Sequence, residues 1–254
     1  MTGRPGTALV RRPGPRVAEG IVTHVERRPV DAVLAYRQHD AYIAALAAAG
    51  WRIHPVDAAD DLPDAPFVED TVVVCGDLAV LARPGVESRV PEVAGTEKAV
   101  RDLGLDVCRV EPPGTLEGGD VLQVGDTVYV GRSARTDHDA ICQLGALLNR
   151  RVVAVDVRGC LHLKSAMTAL PDGSLIGLPD LVDTTVLPYL QVVPEPTGAH
   201  VVVLGDDHAL LAASAPRTAA LLRSDGYQVT TVDISEFEAL DGCVTCLSVL
   251  VPGR

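Results

Sequence analysis

Aromatic side chains are scarce in this 254-residue chain: they make up 3% of it, with one Trp and two Phe. A core must therefore be built from Val, Leu and Ala, and 47% hydrophobic residues supply ample material for one. Cationic charge is short as well. Lys and Arg number 22 against 34 Asp and Glu, for a formal net charge of −12. Binding to nucleic acid irrespective of sequence draws its affinity from Lys and Arg on phosphates, so the balance argues against that class. It mildly favours a cationic ligand. No run of about 18 apolar residues occurs, so no membrane span is expected. The opening residues have no apolar stretch of the kind that directs secretion, and a cytoplasmic protein is expected. The six cysteines, at 75, 108, 142, 160, 243 and 246, are scattered. Most read as small buried hydrophobes rather than as a disulfide framework.

What is present is a repeat. Two short β runs flank a Gly-Asp or Asp-Gly turn in Val72–Leu81, Val121–Val130, Met167–Ile176 and Val201–Leu211. Turn chemistry of this kind between apolar runs signals a hairpin. Helical stretches are expected at 31–49, capped by Asp31 and stopped by Gly50, and at 97–103, 138–148 and 216–224. Each helix leads into a further β run: 51–56, 106–110, 152–155 and 227–233. The unit is hairpin, helix, strand. The opening Ala8-Leu-Val-Arg11 and a closing strand over 244–251 can share one divided unit, which makes about five. Five such units arranged radially form a closed α/β ring around a central cavity. No linker or shift in composition divides the chain, so residues 1–254 are expected to form a single domain.

Four stretches carry residue types fit for chemistry. Asp241-Gly-Cys-Val-Thr-Cys246 ends on a thiol, Gly159-Cys-Leu-His162 offers a histidine, and Leu116-Glu-Gly-Gly-Asp120 offers a carboxylate beside two glycines. A nucleophilic Cys needs a nearby acid or base, and that base needs an orienting partner, so Cys246, His162 and Glu117 form a candidate trio. Cys243 and Cys246 have redox-pair or half-zinc spacing. In a β run, however, residues three apart face opposite ways, and no second ligand pair completes a zinc set. Asp64, Glu69 and Asp70 form a carboxylate cluster that a guanidinium could satisfy, as could solvent. Arg89 and Arg135 each follow a hairpin and are candidates to meet at one rim and hold a carboxylate.

Phe67-Val-Glu-Asp70, Arg83-Pro-Gly to Arg89, Leu116-Glu-Gly-Gly-Asp120, Val130-Gly-Arg-Ser-Ala-Arg-Thr136, Leu161-His-Leu-Lys164 and Asp241 to Leu250 occur in one order. As an ordered set they resemble the dimethylarginine dimethylaminohydrolase family of the guanidine-modifying (amidinotransferase) superfamily, over nearly the whole chain. The resemblance implies a five-bladed α/β propeller, the pentein fold, and hydrolysis of methylated arginine to citrulline without metal or organic cofactor. It implies that Cys246 is the nucleophile, His162 the general acid and base, and Glu117 its orienting carboxylate. Asp64, Glu69 and Asp70 match the residues on the substrate guanidinium, Arg89 and Arg135 those on its α-carboxylate, and Leu240 the position whose backbone meets the amino-acid end. Val25 stands where the family's lid loop carries leucine. Arginine and agmatine deiminases look similar but carry His-x-Asp where this chain has His162-Leu-Lys164, and losing that carboxylate leaves room for N-methyl groups. The expected partner is the small-molecule substrate, not nucleic acid or membrane, and a homodimer stays open. The alternatives are a deiminase or amidinotransferase for another guanidine, or a non-catalytic arginine-binding propeller.

Overall fold

A computed structural model describes residues 6–253. The expected domain bounds run beyond these by residues 1–5 and 254, which lie outside the described residues. Strand β1 (Thr7–Val10) leads into helix α1 (Ala32–Ala48) and β2 (Arg52–Pro55). The hairpin β3 (Val72–Cys75) and β4 (Leu78–Leu81) is followed by α2 (Glu92–Asp102) and β5 (Asp106–Arg109). The next, β6 (Val121–Val124) and β7 (Thr127–Arg132), is followed by α3 (His138–Leu148) and β8 (Arg151–Asp156). A one-turn helix, α4 (Leu163–Ala166), opens onto β9 (Met167–Ala169), β10 (Leu175–Gly177) and β11 (Leu190–Val192). The last hairpin, β12 (Val202–Val203) and β13 (His208–Ala212), precedes α5 (Pro216–Ser224) and β14 (Gln228–Val232). Helix α6 (Ser235–Glu238) and β15 (Val249–Val251) close the chain.

These strands form five three-stranded sheets of one design: an antiparallel pair, then a parallel third strand. The fifth sheet is the divided one. In it β15 pairs antiparallel with β1, and β1 runs parallel to β2 across the crossover α1. The two ends of the chain thus latch the ring. The first strands of the five sheets, β3, β6, β9, β12 and β15, all contribute to the wall of one cavity of about 430 Å³. That places it on the axis of a five-bladed α/β propeller.

Local chemistry accounts for the ends of α1 and α3. The Asp31 side chain accepts from Val33 and Leu34 N–H, and the chain leaves α1 through Gly50 at φ +90°. Asp137 caps α3, which ends at Asn149 in the left-handed region. Two expectations are corrected. Helix α2 begins at Glu92 rather than at 97, because Glu92 is buried and its carboxylate ion-pairs with Arg89. That i,i+3 ion pair, with Arg89 itself anchored on Asp70, supports a first turn holding the poor helix formers Val93, Gly95 and Thr96. The third blade lacks its helix. Residues 178–189 instead form two short 3-10 turns before β11.

The scarce aromatics are pooled. Both Phe and the single Trp sit in one core cluster with Tyr42, against Leu240, Cys243 and Cys246. The clusters under β3–β5 and β6–β8 are almost wholly aliphatic. Aromatic bulk therefore backs the segment that carries the thiols.

Candidate active site

His162 is the N-cap of α4 and is 2% exposed. Its Nε2 lies 2.7 Å from Glu117 Oε2, and its Nδ1 lies 3.9 Å from Asp70 Oδ1. Burial disfavours the imidazolium, but Asp70, Asp120 and Glu117 outweigh it and raise the pKa to about 9. Burial works to raise Asp70 as well. The His162 and Arg89 cations overcome it and hold Asp70 below the usual carboxylate range. The same opposition leaves Glu117 lowered, chiefly through its hydrogen bond with His162.

The close approach of His162 to the Glu117 loop is possible because that loop carries glycine. A Cβ on Gly119 would stand 2.6 Å from His162 Nδ1 and 2.8 Å from Asp70 Oδ1. Gly119 N–H donates to Asp70 Oδ1 at 3.1 Å, and Asp120 accepts from Leu163 N–H at 2.8 Å, so the loop and α4 are tied on both sides.

Two guanidiniums complete the electrostatics. Arg89 Nη1 donates to Asp70 Oδ2 at 2.8 Å, and its Nη2 and Nε engage Glu92. Arg135 Nη1 donates to Glu117 Oε1 at 3.2 Å. Both arginines are buried. The Asp70, Glu117 and His162 donor atoms lie within 4.8 Å of one another and are the one convergent metal-ligand set among the described residues. With two guanidiniums already on those carboxylates, a divalent cation would be repelled, and the cluster suits proton transfer better.

Asp64, Asp70, Arg89, Arg135, His162, Leu240 and Cys246 all line one cavity of about 20 Å³, distinct from the axial one. That volume holds roughly one water. A thiol, an imidazolium, carboxylates and arginines converging on so small a space is an arrangement for guanidine chemistry.

Comparison with known proteins agrees. The family described as arginine deiminase matches residues 59–212. An N(G),N(G)-dimethylarginine dimethylaminohydrolase of Streptomyces coelicolor is 58% identical over 246 residues, covering 95% of each chain. The chain belongs to the dimethylarginine dimethylaminohydrolase family. The family's enzyme from Pseudomonas aeruginosa, solved in complex with citrulline, superposes with a TM-score of 0.87 at 30% identity, over 97% of this chain and 99% of that one. A dimethylarginine dimethylaminohydrolase adduct with S-methyl-L-thiocitrulline matches with a TM-score of 0.88 at 30% identity, over 98% and 100%.

Against the expectations drawn from the sequence, four placements differ. Glu69 does not line the small cavity. It sits beside Asp70 in a 3-10 turn, Val68–Thr71, which turns neighbouring side chains apart. Its carboxylate takes Lys164 Nζ at 2.6 Å and the Thr245 hydroxyl at 3.0 Å, and both Glu69 and Lys164 line the axial cavity. Burial raises Glu69 to about 7 despite Lys164. Lys164 therefore spares the small cavity a carboxylate without entering it; the carboxylates lining that cavity are Asp64, Asp70 and Asp241. Arg89 does not stand at a rim, because Asp70 and Glu92 hold it inside the wall.

The fourth difference is at the thiols. Residues 244–251 are not one strand. Thr245–Leu247 form a 3-10 turn before β15, and the sulfurs of Cys243 and Cys246 lie 3.0 Å apart rather than on opposite faces. The Cys243 contact and burial, with Glu69 and Asp70 nearby, hold the Cys246 thiol well above its ordinary pKa.

Asp241 is the residue that sequence reasoning missed. It has φ +58°, and its carboxylate accepts N–H bonds from Thr23 (2.5 Å), His24 (2.9 Å) and Val25 (2.9 Å). It thereby clamps the loop that carries Val25 against the cavity. An Asp before Gly242 was the available signal, since Asp tolerates the left-handed region.

Proposed function

We infer that this protein hydrolyses Nω-methylated arginines to citrulline, releasing dimethylamine or methylamine. The observation that carries the reading is the thiol of Cys246 sharing one small cavity with His162, which Glu117 and Asp70 keep as a cation. The chain acts as one catalytic domain, since β15 and β1, from its two ends, share a sheet.

Cys246 is the nucleophile. Its raised pKa means that it waits as a thiol, and a bound guanidinium, being cationic, favours the thiolate. The sulfur attacks the guanidinium carbon. His162 Nε2 is occupied by Glu117, so Nδ1, 3.9 Å from the cavity-lining Asp70, is left to give the imidazolium's proton to the leaving amine. The remaining S-linked thiouronium is attacked by water, from which the now neutral His162 takes a proton. Collapse expels the thiolate and leaves citrulline. Glu117 orients the ring throughout. Proton transfer of this kind is worth about 10² to 10⁴-fold.

Asp64 and Asp70 take the guanidinium end of the substrate, Leu240 meets its amino-acid end, and Arg135 takes the α-carboxylate. Arg89 keeps Asp70 ionised and adds positive potential behind it. Because the cavity holds about 20 Å³ and ligand pockets run to roughly 300 Å³ or more, the Asp241-clamped loop must open for entry.

The test is citrulline release from Nω,Nω-dimethylarginine and, separately, from arginine. Turnover of the methylated substrate alone is expected. Turnover of arginine alone would establish the deiminase reading that the match to the arginine deiminase family also allows. Turnover of neither, with retained binding of arginine, would leave a binding propeller.

A further inference from the structure

Cys243 has no part in the reaction above, yet its sulfur lies 3.0 Å from that of Cys246, with the Thr245 hydroxyl at 3.2 Å. Both cysteines are buried, and neither is in a disulfide. Their closeness has a backbone cause. Cys246 N–H donates to the Cys243 carbonyl at 3.2 Å, and a turn of three residues brings side chains i and i+3 into register. A turn of that kind keeps the two Cα atoms within about 7 Å, and disulfides close at Cα separations of about 4.4–6.8 Å. Joining the sulfurs therefore asks for a movement of about 1 Å and no rearrangement of the chain. Exposure is unequal. Cys246 lines the small cavity and Cys243 does not, so a reagent entering that cavity meets Cys246 first.

We propose that Cys243 is a resolving thiol for Cys246, so that a hydroperoxide entering the cavity converts the pair into a reversible intramolecular disulfide that switches turnover off. In the first step Cys246 passes its proton to the Cys243 sulfur at 3.0 Å, whose own pKa the bond with Cys246 holds well below the ordinary thiol value, and the Cys246 thiolate attacks one oxygen of hydrogen peroxide. The O–O bond breaks, the sulfur becomes a sulfenic acid, and the leaving hydroxide takes that proton from Cys243 as water. In the second step the Cys243 thiolate attacks the Cys246 sulfur. The S–O bond breaks, the S–S bond forms, and the hydroxide released takes a proton from solvent as a second water. Two thiols lose two electrons and the peroxide gains them. The bond holds the nucleophile out of reach of a guanidinium carbon and caps the sulfenic acid before a second peroxide drives it to irreversible sulfinic acid. A small dithiol reverses it by exchange. The effect on turnover rests on the reading of Cys246 as nucleophile; formation of the bond does not.

Trypsin places both cysteines, and no other, in the one peptide of residues 224–254. The full chain is treated with hydrogen peroxide and followed by peptide mass and by citrulline release. The expected product is that peptide two hydrogens lighter, with activity falling at least about tenfold and returning on addition of dithiothreitol. A Cys243→Ala variant, judged against its own untreated rate, is expected to gain two oxygens on Cys246 and to stay inactive after dithiothreitol. A substrate analogue filling the cavity is expected to slow both outcomes. The proposal is overturned if the wild-type peptide gains oxygen with no lighter species, if it is unchanged by peroxide, or if Cys243→Ala recovers as fully as the wild type. A lighter peptide with unchanged citrulline release would keep the disulfide and sink the nucleophile assignment, so the two failures can be told apart.

Discussion

Glu69 and Asp70 are neighbours in one short turn, yet they live in different places. Asp70 faces the small cavity among His162 and Arg89, and those cations hold its pKa down. Glu69 faces the axial cavity with one Lys and one hydroxyl, and burial pushes its pKa to about 7. The lesson is that a carboxylate's role follows from the company its turn gives it. On the Asp70 side the His162 imidazolium and the Arg89 guanidinium offset burial, and the ionised group can work on a substrate. On the Glu69 side a single Lys164 offsets it incompletely, and the pair forms part of the axial cavity's wall.

The largest effect that would sharpen this comparison lies on the small-cavity side. Cys246→Ser is expected to lower citrulline release by about 10⁴-fold or more while moving the thermal midpoint little. A variant that retained a tenth of the rate would remove the nucleophile from the mechanism. On the axial side the effect is expected in stability instead. Lys164→Met strands the Glu69 carboxylate, at a cost of about 3 kcal/mol in denaturant unfolding. Its kcat for methylated arginine is expected to stay within about threefold. If kcat fell as far as in the Cys246 variant, the separation of the two cavities would be wrong.

The third contrast is in pH. His162 is raised from 6.5 to about 9, so its contribution to stability is full below pH 6.5 and is lost as pH rises through 9. The same proton serves the leaving amine, so kcat/KM is expected to fall about tenfold per pH unit above that point. Glu69, raised from 4.5 to about 7, contributes below pH 4.5 and loses its contribution as pH rises through 7. Asp70 is lowered, so its contribution is present at higher pH and is lost as pH falls through its folded value. Carboxylate titrations followed by NMR should place Glu69 above Asp70; the reverse order would break the comparison.

The smallest expected effect is at the clamp. Asp241→Asn keeps the size but weakens three charge-assisted bonds to the Val25 loop, two of them at 2.9 Å, and should raise KM by about three- to tenfold. Faster amide exchange at residues 23–25 should accompany it. An unchanged KM with unchanged exchange would mean that other contacts hold the loop.

Much of this was open to reading before any fold was known. The hairpins at 72–81, 121–130, 167–176 and 201–211 stand where their turns predicted them, and α1, α3 and α5 lie within a residue of the expected ends. These are short-range matters: a Gly-Asp turn, an Asp cap or a leading proline acts on residues a few positions away. Helix α2 was missed at its start because Glu92 is buried against Arg89, which Asp70 anchors, and takes Arg11 on its carbonyl, contacts from distant segments that outweigh propensity. Asp64, Asp70, Arg89, Arg135, His162 and Cys246 were named from residue type and motif and Leu240 from the family resemblance, and one cavity holds them all.

The sequence by itself determined the repeat of hairpin, helix and strand, because periodicity and turn chemistry are local, and the candidate reactive groups came from residue type and family resemblance. Only the tertiary structure decided which way each group faces. A 3-10 turn and a strand differ by a few backbone angles, yet one brings Cys243 against Cys246 and the other would part them. The same is true of Glu69 and Asp70, adjacent in sequence and separated by the packing of four neighbouring segments around one short turn.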